Sequence, residues 1–202
     1  MDTVTPMETQ SGKAEAAAGA NVFLVGMMGA GKTSVGKLLA RQLGKSFVDS
    51  DQEIERRTGV RVAVIFDIEG EPGFRRREAS VIRELTARRD IVLATGGGAV
   101  LDADNRAALA ANGTVVYLRA SVDELWNRTR HDKNRPLLRG GDPRERLDQL
   151  YRERDPIYCA LADLIVDTGS QSLRNLVQKL QRELARGTPG AQAVAAAPAR
   201  PA

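Results

Sequence analysis

The sequence predicts an α/β fold, a five-stranded parallel sheet flanked by helices, and three observations predict it. Short apolar runs rich in β-branched residues alternate with longer segments of helical period, the pattern of a parallel sheet covered by helices. A Gly-rich phosphate-loop pattern stands directly between the first apolar run and the first helical segment. The length of 202 residues, with 42% hydrophobic and 28% charged, suits one well-buried domain and is short for two.

The elements follow in order. Strands are predicted at Asn21 to Val25, Ser46 to Asp49, Ile91 to Ala94, Thr114 to Leu118 and Leu164 to Val166, each an apolar run of strand length. Helices are predicted at Lys32 to Leu43, Asp51 to Arg57, Phe74 to Arg88, Asp104 to Ala111, Val122 to Arg130, Pro143 to Tyr158 and Leu173 to Arg186. Ser121 and Glu124 have the spacing of a capping box, which marks the start of the fifth helix. Leu173, Leu176, Val177, Leu180 and Leu184 form an apolar stripe on the last helix, with Gly187 as its stop. Residues 1 to 20 lack apolar periodicity, and residues 187 to 202 hold seven Ala, three Pro and two Gly. Both ends are read as disordered tails around a core of residues 21 to 186.

Composition excludes several kinds of chemistry. His131 is the only histidine, so mechanisms that require His in a triad or a His pair on a metal have little to work with. Cys159 is the only cysteine, which rules out an internal disulfide, agrees with a reducing compartment and reads as a small core residue. No stretch approaches the roughly 18 consecutive apolar residues of a membrane span, so the chain is expected to be soluble. The formal charge of +4 is spread through the chain with few aromatics, which favours a small anionic ligand over nucleic acid.

Gly26 to Thr33 reads GMMGAGKT and fits GxxxxGK[ST], with a strand before it and a helix after it. Such a loop turns its backbone N–H groups inward at phosphate oxygens, with the helix N-terminus adding positive potential. Lys32 would neutralise the β and γ phosphates, and the Thr33 hydroxyl would ligate Mg²⁺. A Gly-rich turn with a surface lysine is the plain alternative.

The second strand ends in Asp49, Ser50 and Asp51, at the rim where ligands bind in a doubly wound sheet. One carboxylate could serve a metal and the other a substrate hydroxyl, or Asp51 could simply cap the next helix. Phe74 to Glu78 reads FRRRE, which places Arg75 and Glu78 on one helix face, where the acid could hold the guanidinium ready for a carboxylate. Thr95 to Val100 reads TGGGAV, which permits close backbone approach to a ligand or plain loop flexibility.

Together with NRPLL from Asn134 and RDPIY from Arg154, these motifs resemble the shikimate kinase family, nucleoside monophosphate kinase-like P-loop enzymes that phosphorylate shikimate from ATP. The resemblance covers essentially the whole core. It implies a three-layer sandwich with a mobile lid at about residues 131 to 142. It implies ATP contacts from Gly29, Ala30, Gly31, Lys32, Thr33, Ser34, Arg128 and Arg135, with Arg128 against adenine and Arg135 reaching the transferring phosphoryl group from the lid. It implies shikimate contacts from Asp51, Arg75, Gly97, Gly98 and Arg154, with Asp51 as the candidate base and Lys32, Asp51 and Arg135 as the catalytic set. Thr33 and Asp49, the latter through water, would serve Mg²⁺. The expected partners are ATP and shikimate, in a cytoplasmic monomer that engages neither nucleic acid nor membrane. Gluconate kinase, which has a similar loop and acids, and a catalytically silent P-loop module remain as alternatives.

Overall fold

The computed structural model describes residues 20–131, 136–138, 142–169 and 171–186. The expected N-terminal tail, apart from Ala20, lies outside the described residues, as do the C-terminal tail with its Gly187, Arg135 and much of the expected lid.

Five strands form one parallel sheet: β1 (Asn21–Val25), β2 (Ser46–Asp49), β3 (Ile91–Ala94), β4 (Gly113–Arg119) and β5 (Leu164–Asp167). Their spatial order is β2-β3-β1-β4-β5, with Phe23 paired to Leu93 on one side and Val115 on the other. β1 and β3 are buried at every residue, as central parallel strands covered on both faces must be, whereas β2 at the edge is only half-buried. The helices among the described residues are α1 (Lys32–Leu43), α2 (Ser50–Thr58), α3 (Val62–Thr86), α4 (Ala103–Asn112), α5 (Val122–Thr129), α6 (Pro143–Leu161) and α7 (Leu173–Ala185). α1 packs on α7 and on β1 to β3, while α4 packs on α3 and β4, giving three layers. No helix among the described residues is long and apolar enough to cross a membrane.

Local chemistry explains where the helices begin. The capping box at Ser121 and Glu124 is present, with each residue's side chain accepting from the other's backbone N–H. On α7 the buried stripe is Leu176, Val177 and Leu180, while Leu173 at its start is exposed. At α2 the cap is Asp49, whose Oδ1 accepts from the N–H groups of Asp51 and Gln52. The reading of Asp51 as a cap is therefore corrected: it sits in the first turn, and its carboxylate is free for another task.

The largest departure is α3, expected from Phe74 but starting at Val62. Gly70, at φ 69° and ψ 179°, kinks it into two pieces, and Pro72 fits the first turn of the second piece. The punctuation at Gly70, Pro72 and Gly73 masked the first piece, which tertiary contacts hold. The Val62 N–H donates to Glu55 Oε1 at 2.9 Å, Ile65 is buried, and the Phe66 ring centroid lies 4.8 Å from that of Phe74.

At the amino ends of the strands, the buried side chain of Asn21 joins three elements. Its Nδ2 donates to the carbonyls of Arg88 at 2.7 Å and Asn112 at 3.2 Å, and its Oδ1 accepts from Ile91 N–H at 3.1 Å. Asn21→Leu strands these buried backbone groups and is expected to cost about 2–4 kcal/mol, read as a lower midpoint in urea unfolding. An unchanged midpoint would show that water replaces the side chain without loss.

Candidate active site

The strand order decides which loops meet. β3 lies between β1 and β2, so Thr95 to Gly98 at its end separates the phosphate loop after β1 from Asp49 and Asp51 after β2. Gly29 and Gly31 hold φ of 81° and 92°, the left-handed region open to glycine, which lets the loop fold over the start of α1. Lys32 Nζ donates to the Gly26 carbonyl at 2.7 Å and the Met27 carbonyl at 2.9 Å, so its ammonium lies against the loop that it belongs to. Thr33 Oγ1 donates to Asp49 Oδ2 at 2.8 Å. Asp49 thus caps α2 with one oxygen and faces the phosphate loop with the other.

Two pockets open here and share a wall. One, of about 270 Å³, is lined by Gly29, Gly31, Lys32, Thr33, Ser34 and Asp49 among others. The second, of about 220 Å³, is lined by Glu55, Val62, Phe66, Phe74, Arg75, Glu78, Gly96, Gly98, Leu137 and Arg154. Met28, Asp51 and Gly97 line both. Of the predicted donor-side residues, Ala30 is buried and does not line the first pocket. Arg128 lies beside the pocket, its guanidinium donating to the Gly29 carbonyl at 3.3 Å and to the carbonyls of Thr168 and Gly169.

The second pocket gathers charge. Arg75 Nη1 donates to Glu78 Oε2 at 2.6 Å, and its Nε and Nη2 donate to Glu71 Oε1. Glu78 is fully buried and Arg154 is 2% exposed. Among the described residues, the buried side-chain polar atoms without a hydrogen-bond partner are Asp51 Oδ1, Glu78 Oε1, and Nε and Nη1 of Arg154. All four belong to walls of this one pocket. Gly96 makes room for the acids, because a Cβ there would lie 2.8 Å from Asp51 Oδ1 and against Glu78 Oε1.

Burial pushes the Asp51 carboxyl up to about 7, with the negative charges of Glu78 and Asp49 adding to the rise and Lys32 and Arg75 opposing it. Burial also raises Glu78, against the pull of Arg75 and Arg154.

The structure thus brings together Lys32, Thr33, Asp49 and Asp51 on one side, and Asp51, Arg75, Gly97, Gly98 and Arg154 on the other. Sequence reading missed Glu78 as a pocket wall and missed Val62, Phe66, Glu55 and Leu137. Val62, Ile65 and Phe66 do recur at helical spacing, a signal that could have revealed the wall.

A phosphate loop opening into a small pocket of carboxylate and guanidinium groups, at the strand ends of a parallel three-layer sandwich, defines a P-loop phosphotransferase acting on a small anionic acceptor. The family model described as shikimate kinase matches residues 28–185. The chain belongs to the shikimate kinase family. It is 65% identical to a shikimate kinase of Chromobacterium violaceum over 81% of this chain and 89% of that one. A shikimate kinase of Nitrosospira multiformis is 57% identical over 91% and 94%. A solved structure of Acinetobacter baumannii shikimate kinase in complex with shikimate is 48% identical, with TM-score 0.82 over 87% of this chain and 99% of that one. The gluconate kinase alternative is not favoured.

The raised Asp51 sets a pH-dependent stability. With a folded value of about 7 against the ordinary 3.8, its contribution is fully present below about pH 4 and is lost as pH rises through 7. Asp51→Asn removes that loss, so Tm should rise by on the order of 5 °C at pH 8 relative to wild type and change little at pH 4. Equal shifts at both pH values would contradict the raised value.

Proposed function

We propose that this chain transfers the γ-phosphoryl group of ATP to the 3-hydroxyl of shikimate, giving shikimate 3-phosphate and ADP on the route to chorismate and the aromatic amino acids. The observation that carries the reading is the set of unpaired buried atoms around the second pocket. Leaving Arg154 Nε and Nη1 and Asp51 Oδ1 without partners is costly, and a ligand with a carboxylate at one end and hydroxyls at the other satisfies both ends at once. Arg75 and Arg154 grip the carboxylate with the backbone of Gly97 and Gly98, and Asp51 holds the hydroxyl that reacts.

The shared wall supports in-line transfer. ATP phosphates lie on the Gly29 to Ser34 backbone, with Arg128 against the adenine. Lys32 exchanges a loop carbonyl for phosphate oxygens. The acceptor oxygen attacks the γ phosphorus, the bond to the β,γ-bridging oxygen breaks, and ADP leaves with that electron pair. The hydroxyl proton passes to Asp51, which a value near 7 suits to the task. Arg135, outside the described residues, completes the catalytic set by balancing charge on the transferring group. Thr33 and Asp49 are hard oxygen donors, 2.8 Å apart at the phosphate loop, and would hold Mg²⁺ there, Asp49 through water. When bound, Mg²⁺ would supply charge neutralisation on the nucleotide's phosphates. The reading includes a monomer acting in the cytoplasm, consistent with the free thiol of Cys159.

The direct test is ADP production with shikimate, gluconate or nucleoside monophosphates as acceptor, with turnover on shikimate alone expected. Lys32→Ala should lower kcat by roughly 10²-fold or more while Tm stays near wild type, since the ammonium supplies charge rather than packing. Arg75→Ala should raise KM for shikimate about tenfold and leave KM for ATP nearly unchanged, whereas Asp51→Asn should lower kcat by roughly 10²-fold or more. Wild-type turnover in Asp51→Asn would sink the acceptor-side assignment even if the loop assignment stood.

Chelation gives an independent check. Excess EDTA should abolish turnover and added Mg²⁺ or Mn²⁺ restore it, and Thr33→Ala should raise the Mg²⁺ concentration giving half-maximal rate. Full activity in EDTA would remove the metal from the reading.

A further inference from the structure

Tyr158 lies at the back of the acceptor pocket and takes no part in the roles given above. It is fully buried on α6, one helical turn beyond Arg154, whose guanidinium also meets its hydroxyl, and that hydroxyl donates a hydrogen bond to the carbonyl of Gly97. Its ring is held in place by stacking on Tyr117 at a centroid distance of 4.8 Å, and the Tyr117 hydroxyl is tied in turn to Asp155 Oδ1 at 2.7 Å. The hydroxyl of Tyr158 therefore meets the Gly97 carbonyl from a ring that its neighbours hold.

The peptide unit makes this directional. In a trans peptide the C=O of one residue and the N–H of the next point to opposite sides of the chain, and every peptide bond described here is trans. Turning the Gly97 carbonyl toward Tyr158 turns the Gly98 N–H away from it. The Gly97–Gly98 peptide is the central one of a turn closed by Ala99 N–H donating to the Gly96 carbonyl at 3.2 Å, and glycine at both positions leaves that turn soft, so the Tyr158 contact adds to what holds it. On the pocket side, the Arg75 guanidinium fills the space where a Gly98 Cβ would stand, and Arg154 Nη1 is 3.7 Å from where a Gly97 Cβ would stand.

We propose that Tyr158 is a positioning residue that orients the Gly97–Gly98 peptide so that the Gly98 N–H joins Arg75 and Arg154 in one seat for the substrate carboxylate. This rests on the reading of the pocket as an acceptor site for a hydroxylated carboxylate. α6 then supplies both a guanidinium for the anion and the clamp that aims the backbone donor. Burial holds the Tyr158 hydroxyl well above the ordinary phenol range, so it stays a donor at any working pH.

The test compares two ligands on two proteins. Tyr158→Phe keeps the ring and its stack and removes only the hydroxyl. The dissociation constant for shikimate should rise roughly five- to twentyfold, the worth of a backbone donor to a charged group. That for shikimate methyl ester, which lacks the anionic end, should change less than about twofold, and kcat at saturating shikimate and KM for ATP should stay within about twofold. Tyr117→Phe keeps the ring on which Tyr158 stacks and loses only the bond to Asp155, so it should raise the dissociation constant for the acid less than Tyr158→Phe does and leave that for the ester as in wild type. An equal loss for acid and ester would mean that the hydroxyl serves packing alone, and unchanged acid affinity would mean that the peptide holds its orientation unaided; either overturns the proposal. Should Tyr158→Phe fail to fold, the Gly98 amide resonance of the wild-type protein decides: a downfield proton shift on saturation with shikimate and none with the ester is expected, and no shift with the acid overturns it. Wild-type protein that does not phosphorylate shikimate would instead count against the proposed function itself.

Discussion

Everything at the acceptor pocket depends on keeping a small set of buried charges in balance. Asp51 and Glu78 bring two carboxylates to the Gly96 loop, and Arg75 and Arg154 bring two guanidinium groups. An isolated charge at such a site would cost several kcal/mol, so the acids and bases are tolerable only together. The balance is incomplete by hydrogen-bond count, since Asp51, Glu78 and Arg154 each keep buried atoms without partners. Incomplete satisfaction costs stability, and a polar ligand with anionic and hydroxyl groups offsets that cost. The same shortage that weakens the free protein makes the pocket selective for what fills it.

The pairing of donor and acceptor pockets follows from one topological fact, the placement of β3 between β1 and β2. It sets Gly97 in the wall common to both pockets, with Asp51 opposite the phosphate loop. Asp49 links the two sides, because one oxygen starts α2 and thereby aims Asp51, while the other meets Thr33. A single side chain thus couples the local start of a helix to the geometry of the phosphate site.

The outer wall of the acceptor pocket comes from the first piece of α3, whose Val62 and Phe66 face Phe74 across the kink at Gly70. α6 closes the inner side with Arg154 and carries Tyr158 behind the Gly97 carbonyl. The binding groups therefore ride on helices and strand ends rather than on long loops, which suits a site that must hold reacting atoms within narrow limits.

The sequence by itself determined the class of fold, all five strands, most helix positions and the phosphate loop, because each of these rests on short-range rules: period, apolar run length, glycine spacing and caps. It also marked Asp49, Asp51, Arg75, Gly97, Gly98 and Arg154, through motifs whose spacing reflects chemistry. What only the tertiary structure decided was which of them touch. The identity of the α2 cap turned on Asp49 facing Thr33 across 16 residues of chain, and no local pattern separates that from a cap at Asp51. The first piece of α3 was hidden because Gly70 and Pro72 interrupt the pattern, while its stability comes from Glu55 and Phe74, contacts formed only on folding. Glu78 could be read as a partner for Arg75 from their spacing, yet its place in the pocket depends on Gly96 approaching from another strand. Tyr158 stood in the RDPIY motif without a role of its own, because its hydroxyl acts on a backbone carbonyl 61 residues away, and such a bond exists only once the sheet has brought β3 under α6.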